Sequence, residues 1–316
     1  DAFIDLAEDS QTNRPLPFHE LEPEQARELF EQTTRQLAWP VPGSVECKAI
    51  EASSRDGQVL PLRLYIPTGY EPQALPVFMY FHGGGYVVGS LDSHDGVCRE
   101  FCSRTPCVVV SVGYRRAPEY KFPVALHDCA DAVSWLHEAA EKYGLNRREV
   151  IFGGDSVGAT MAAVLAIQAV HQPGEVAIKP LLQVLCYPMT DASRRSTSIE
   201  LFAQGYFLES DTLEWFYNHY ARTPQDREDW RFSPLLAPDL KGVAPALVVL
   251  AGFDPLLDEG RAYVSKLQEQ GVTVYLQEYL GLTHDLLRLQ AVVPEVADIH
   301  QALADRLQQM LSLSKR

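Results

Sequence analysis

The chain has 316 residues, 46% of them apolar, and a net charge of −15 with a pI near 5.0. That acidity excludes a polyphosphate partner such as DNA or RNA, because such binding needs clustered lysine and arginine to displace counterions. The apolar runs are short and interrupted, so none spans a membrane, and the first residues lack a basic-then-apolar leader, which makes a cytoplasmic protein the expectation.

In chain order, residues 1–40 hold an amphipathic helix around Ala26, Leu29, Phe30 and Leu37 but no strand. Leu60, Leu62, Leu64 and Ile66 alternate with less apolar positions, predicting a half-exposed strand paired with residues 45–53 across an Asp56-Gly57 turn. Nearly all-apolar runs follow at 76–81, 107–113, 149–153, 181–187 and 246–251, interleaved with or followed by helical stretches at 93–105, 124–142, 157–170, 256–270 and 293–312. An alternating run at 272–279 makes eight strands. Runs apolar at every position fit parallel strands covered on both faces, so the fold class is α/β: a mostly parallel eight-stranded sheet between helices, in one domain spanning 1–316. Residues 1–40 and 190–233 stand outside the alternation and are assigned to a helical cap. The second carries Phe202, Tyr206, Phe207, Leu208, Trp215, Phe216, Tyr217 and Tyr220, more aromatic surface than one surface helix buries alone.

Chemistry enters at Gly154-Asp155-Ser156-Val157-Gly158, between the apolar run Val150-Ile151-Phe152 and an alanine-rich helix. A serine on a sharp strand-to-helix turn needs small neighbours, which makes Ser156 a candidate nucleophile. Upstream, the run ending at Phe81 leads into His82-Gly83-Gly84-Gly85-Tyr86, where consecutive glycines can aim backbone N–H groups at one spot and hold an oxyanion. A flexible loop or a phosphate nest is the competing reading of that stretch. Downstream, Asp254 follows the run 246–251, and His284 follows the run 272–279. Serine, acid and histidine thus occur in the order an α/β-hydrolase uses. In that arrangement His284 accepts the serine proton and returns it to the leaving group, while Asp254 fixes the imidazole tautomer. No metal or cofactor is required.

His82-Gly83-Gly84-Gly85, Tyr114-Arg115-Arg116-Ala117-Pro118-Glu119, Phe122-Pro123, the Ser156 pentapeptide, and Asp254-Pro255-Leu256 with Asp258-Glu259-Gly260 together resemble the hormone-sensitive-lipase-like esterases, from about residue 60 onward. The resemblance implies an α/β-hydrolase fold, a triad of Ser156, Asp254 and His284, and an oxyanion hole of Gly84, Gly85 and the Val157 amide, with Gly83 grouped with them and shaping the approach. It also implies a small-molecule ester substrate. Val157, Ala159, Arg116 and Leu286 depart from the family's usual alanine, glycine, leucine and phenylalanine; none removes a reacting group, although the branched Val157 adds bulk beside the nucleophile. Phe202, Tyr206, Phe207 and Leu208 of the cap, with Tyr86, Tyr187 and Leu286, are expected substrate-pocket walls.

Rival assignments exist for several positions. Asp258 is the alternative acid, although an acidic pair after a proline turn is commonly a capped helix start. The six cysteines lack the close pairs of structural zinc sites and read as buried free thiols. A ligand-binding receptor on the same fold, like the gibberellin receptors, would lack the histidine present here at 284. Dinucleotide binding at Gly153-Gly154 lacks the G-x-G-x-x-G spacing. An amide, carbamate or lactone would use the same triad as an ester. The run 272–279 would form an exposed sheet edge able to pair across a homodimer.

Overall fold

Successive strand residues point to opposite faces of a sheet, and the apolar runs use both faces. In a computed structural model describing residues 16–314, Val77, Met79 and Phe81 enter one core while Phe78 and Tyr80 enter the other. Residues 1–15 of the expected cap lie outside the described residues.

The first α-helix among the described residues is α1 (Pro23–Gln36), opened by a proline at its first turn, where no intrahelical N–H is needed. The antiparallel pair β1 (Val45–Ser53) and β2 (Val59–Pro67) follows, turning through Gly57 at φ 80°. Then come β3 (Pro76–Phe81), α2 (Asp95–Arg104), β4 (Val108–Val112), α3 (Val124–Tyr143), β5 (Asn146–Asp155), α4 (Val157–His171) and β6 (Leu182–Cys186). Two helices in the segment expected to form a cap, α5 (Thr197–Leu201) and α6 (Ser210–Tyr220), interrupt the alternation, which resumes with β7 (Ala246–Phe253), α7 (Leu257–Glu269), β8 (Val274–Thr283) and α8 (Val296–Ser314).

The sheet order is β1-β2-β4-β3-β5-β6-β7-β8, parallel from β4 to β8 and antiparallel at the β1–β2 and β2–β4 pairs. Helices α3, α4 and α7 cover one face; α2 and α8 cover the other. This is the α/β-hydrolase fold. Helix α4 is buried from Val157 to Ala169, and its small residues let it lie close behind the sheet. The strands at the two ends of the order are mostly exposed or half-buried, whereas β3, β4 and β6 are buried throughout. The six cysteines are free, five of them buried; Cys47 departs from the expected burial because it sits on the exposed strand β1.

One strand boundary needs correction. Strand β8 does not stop at Tyr279 but runs through Gly281 to Thr283, because its pairing with β7 resumes at Phe253–Thr283 after an irregularity. The loop carrying His284 is correspondingly shorter. The N-terminal helix falls as expected, with Ala26 buried against the body.

Candidate active site

Strand β5 delivers Ser156 onto a backbone at φ 52°, ψ −125°, a region that L-residues occupy only under strain. Glycines make that turn feasible: a side chain at Gly154 or at Gly158 would collide with the Phe81 carbonyl. The Ser156 N–H is held by the Cys186 carbonyl at 2.8 Å, tying the turn to β6. Two strands away, the pairing of Phe253 with Thr283 places the next residue of each chain segment side by side. Those residues are Asp254 and His284.

The three side chains form one hydrogen-bonded line. His284 Nδ1 lies 2.7 Å from Asp254 Oδ2, and His284 Nε2 lies 2.9 Å from Ser156 Oγ. Asp254 is oriented by its other oxygen, which accepts the Leu256 N–H at 2.8 Å. Because a carboxylate accepts, the imidazole carries its proton on Nδ1 and leaves Nε2 free to accept from the serine hydroxyl. Burial disfavours the imidazolium, but the charge and hydrogen bond of Asp254 outweigh it, so the His284 pKa is raised above its ordinary 6.5.

Asp258, the alternative acid, faces the cap instead. Its Oδ2 accepts the Ser198 N–H at 2.8 Å, while Ser198 Oγ donates to the Pro255 carbonyl at 2.7 Å. Its neighbour Glu259 accepts the Thr190 and Asp191 N–H groups at 2.6 and 3.2 Å, and burial pushes its pKa up to about 8. These two carboxyls fasten the base of the second cap segment to the loop that carries Asp254.

Among the described residues, no backbone or side-chain acceptor meets the N–H groups of Gly84, Gly85 or Val157. All three residues border the same cavity as Ser156 and His284. Gly84 and Gly85 have φ of 109° and 58°, and a side chain on Gly85 would strike the Phe216 ring. Gly83 differs from its neighbours. Its N–H donates to Asp155 Oδ1 at 3.1 Å, so it anchors the loop and has no donor to spare for an oxyanion. His82 shapes the same loop: its ring stacks on Tyr114 at 4.2 Å and donates from Nδ1 to the Gly83 carbonyl at 2.7 Å. Burial holds its pKa near 3, so the ring is neutral.

Asp155, next to the serine, points away from the reacting line into a buried network. It accepts from Tyr80 Oη at 2.5 Å and from His94 Nε2 at 3.2 Å. Burial resists its ionisation, but His94 and Tyr80 prevail and lower its pKa to about 2. His94, Asp155 and Asp285 form a trio close enough to surround a metal ion, yet each is already engaged, Asp285 by Arg288 at 2.6 Å.

The cavity above Ser156 measures about 150 Å³, enough for a benzene-sized group. Of the expected pocket residues, Phe207 and Leu208 border it. Five others do not. Tyr86 is buried in stacking on Tyr220 at 3.7 Å, and Leu286 is fully buried in the core beneath α8. Tyr187 presses its ring against His284 at 4.9 Å and so steadies the imidazole from behind. Phe202 and Tyr206 gather on Phe253, at 5.8 and 5.6 Å, outside the cavity. Adjacency in sequence to a reacting residue did not mean adjacency to the substrate space, because the backbone reverses at each of these turns. The missing walls come from Phe18, from Phe30, Thr33 and Leu37 at the end of the chain preceding β1, and from Leu213, Phe216 and Tyr217 on α6. Their signal was the i, i+3, i+4 and i, i+3, i+7 spacing, which marks one helical face without saying what it covers.

Comparison with known proteins agrees with this geometry. Residues 78–288 match the family described as alpha/beta hydrolase fold. Ethyl acetate hydrolase of Pseudomonas putida is 42% identical over 312 residues, covering 98% of each chain. An arylesterase of Saccharolobus solfataricus is 32% identical over 266 residues, 83% of this chain and 85% of the relative. The crystal structure of a thermostable esterase from Pseudomonas putida superposes with a TM-score of 0.92 at 33% identity, covering 98% of this chain and 97% of that one. With the fold, the motifs and the relatives in agreement, the chain belongs to the hormone-sensitive-lipase-like esterase group of the α/β-hydrolases.

Proposed function

We propose that this esterase-type hydrolase cleaves small, mostly short-chain carboxylic esters through an acyl intermediate on Ser156. The observation that carries the reading is the line Ser156–His284–Asp254, opening on an apolar cavity beside unengaged main-chain donors. As Ser156 Oγ attacks the acyl carbon, His284 takes its proton and then gives it to the departing alkoxide. The Gly84, Gly85 and Val157 N–H groups receive the negative charge that develops on the carbonyl oxygen. Water repeats the cycle and frees the acid.

The cavity's size favours short acyl groups. In a p-nitrophenyl series from acetate to dodecanoate, kcat/KM peaks at or below about six to eight carbons; a maximum at long chains overturns the short-chain assignment. A receptor on the same fold is separated by a fluorophosphonate probe, which modifies an activated serine and leaves an unactivated one untouched. Labelling of Ser156 is the expected result.

The raised His284 pKa fixes the sign of the pH dependence. The base acts only when neutral, so kcat/KM falls about tenfold per pH unit on the acid side, with its midpoint above 6.5. A pH–rate profile with a midpoint below 6.5 shows instead that burial outweighs Asp254 at the imidazole.

The reading extends to the molecule's setting. No helix among the described residues is long and apolar enough to cross a membrane, and a cytoplasmic location is part of the proposal. Strand β8 ends the sheet with Leu276 and Leu280 exposed, which supports pairing of two copies along that edge.

A further inference from the structure

The side chain of Arg288 sits where three elements meet beside the cavity. It belongs to the single turn Leu286–Arg288 just after His284, and it is only 4% exposed. Its three nitrogens serve three different segments. One Nη donates to Asp285 Oδ2 at 2.6 Å, on the base's own loop. The other donates to Thr34 Oγ1 at 2.5 Å, on α1, and the guanidinium also lies 4.2 Å from the centre of the Phe30 ring, one turn earlier on that helix. Nε donates to the Ser93 carbonyl at 3.3 Å, just ahead of α2.

A buried guanidinium is expensive to desolvate, and an apolar side chain of similar volume would fill the space without that penalty. What the guanidinium adds is direction. Planar donors fix the relative placement of their acceptors far more tightly than packing does. Phe30 borders the cavity, so pressure from a bound molecule on α1 reaches Arg288 directly.

We propose that Arg288 is a positioning residue coupling α1 of the cap to the loop that carries His284, so that seating of the cap over an ester and alignment of the imidazole occur together. This rests on the esterase reading for its consequence in catalysis, but the mechanical coupling stands apart from it. Electrostatics adds a second signature. His284 faces Asp254 from the β7–α7 loop, Asp285 from its own loop, Asp155 from the end of β5, and the Tyr187 ring after β6. Arg288 counters the Asp285 charge. Without it, that charge acts on the imidazole undiminished and stabilises the imidazolium.

The test uses Arg288→Met, Arg288→Lys and Thr34→Val, each near in volume to the original. Amide hydrogen exchange by mass spectrometry follows residues 23–36 and 284–289, where the Arg288 and Leu289 N–H groups bond to Asp285 and Leu286. Thr34→Val touches the base loop only through the Arg288 guanidinium, yet it is expected to speed exchange of the backbone there as well as in α1, and to raise KM for p-nitrophenyl butyrate more than it lowers kcat. Arg288→Met is expected to lower kcat/KM about ten- to a hundredfold and to move the acid limb to higher pH, with Arg288→Lys recovering part of both. Unchanged exchange at 284–289 in Thr34→Val overturns the coupling, and an unshifted acid limb in a folded Arg288→Met overturns the electrostatic role of Arg288. If Arg288→Met does not fold, Thr34→Val decides alone. If the wild-type protein hydrolyses no ester, the esterase reading fails while the exchange measurement still decides the coupling.

Discussion

Alanine at position 156 abolishes turnover of p-nitrophenyl acetate, a loss of about a millionfold in kcat, while circular dichroism and melting temperature stay near wild type. The size follows from the chemistry, since among the described residues the hydroxyl that meets His284 Nε2 is that of Ser156. His284→Ala has nearly the same effect, and the double variant is scarcely worse, because two members of one proton-transfer line do not contribute additively. Folding is little perturbed because Ser156 makes its structural hydrogen bond through the backbone N–H, which alanine keeps. Undiminished turnover in either single variant rejects the assignment of these residues.

The second large effect is expected from Asp254→Asn, at about 10⁴-fold in kcat. The amide keeps the shape of the carboxyl but offers an N–H where His284 needs an acceptor. The ring then settles with its proton on Nε2, facing Ser156, and loses its ability to act as base. Comparing kcat with melting temperature separates this from simple destabilisation. The companion variant Asp258→Asn should fall far short of that loss, since Asp258 holds the Ser198 N–H of the cap and never meets the imidazole. A loss at 258 equal to that at 254 overturns the choice of acid.

Much of this was legible in the chain. Runs such as Val77 to Phe81 and Ala246 to Leu250, apolar at every position, can only be strands covered on both faces, and their ends located the turn, the acid and the base. Glycines 154 and 158 were legible as the small neighbours that a sharp strand-to-helix turn needs, although the Phe81 carbonyl they both lie against was not. The cap was legible as surplus aromatic surface but not as a shape. Which rings reach the cavity depends on how α1 and α6 cross the sheet, a long-range matter that local spacing does not encode. Hence Phe216 was only one aromatic among many, and Arg288 read as an ordinary charged residue in a short turn. Gly83 was misjudged for a related reason: three consecutive glycines look alike until Asp155, 72 residues later, takes the N–H of the first.

Among the described residues, the two segments expected to form the cap supply no strand to the sheet, whereas every reacting group hangs from a strand end. Selectivity and reactivity therefore occupy separate stretches of chain. Exchanging Leu37 or Leu213 for smaller or larger residues redraws the room available to an acyl group without disturbing the scaffold that aligns the nucleophile, whereas Phe30 also bears on Arg288. A library confined to those two positions samples new preferences on an unchanged engine.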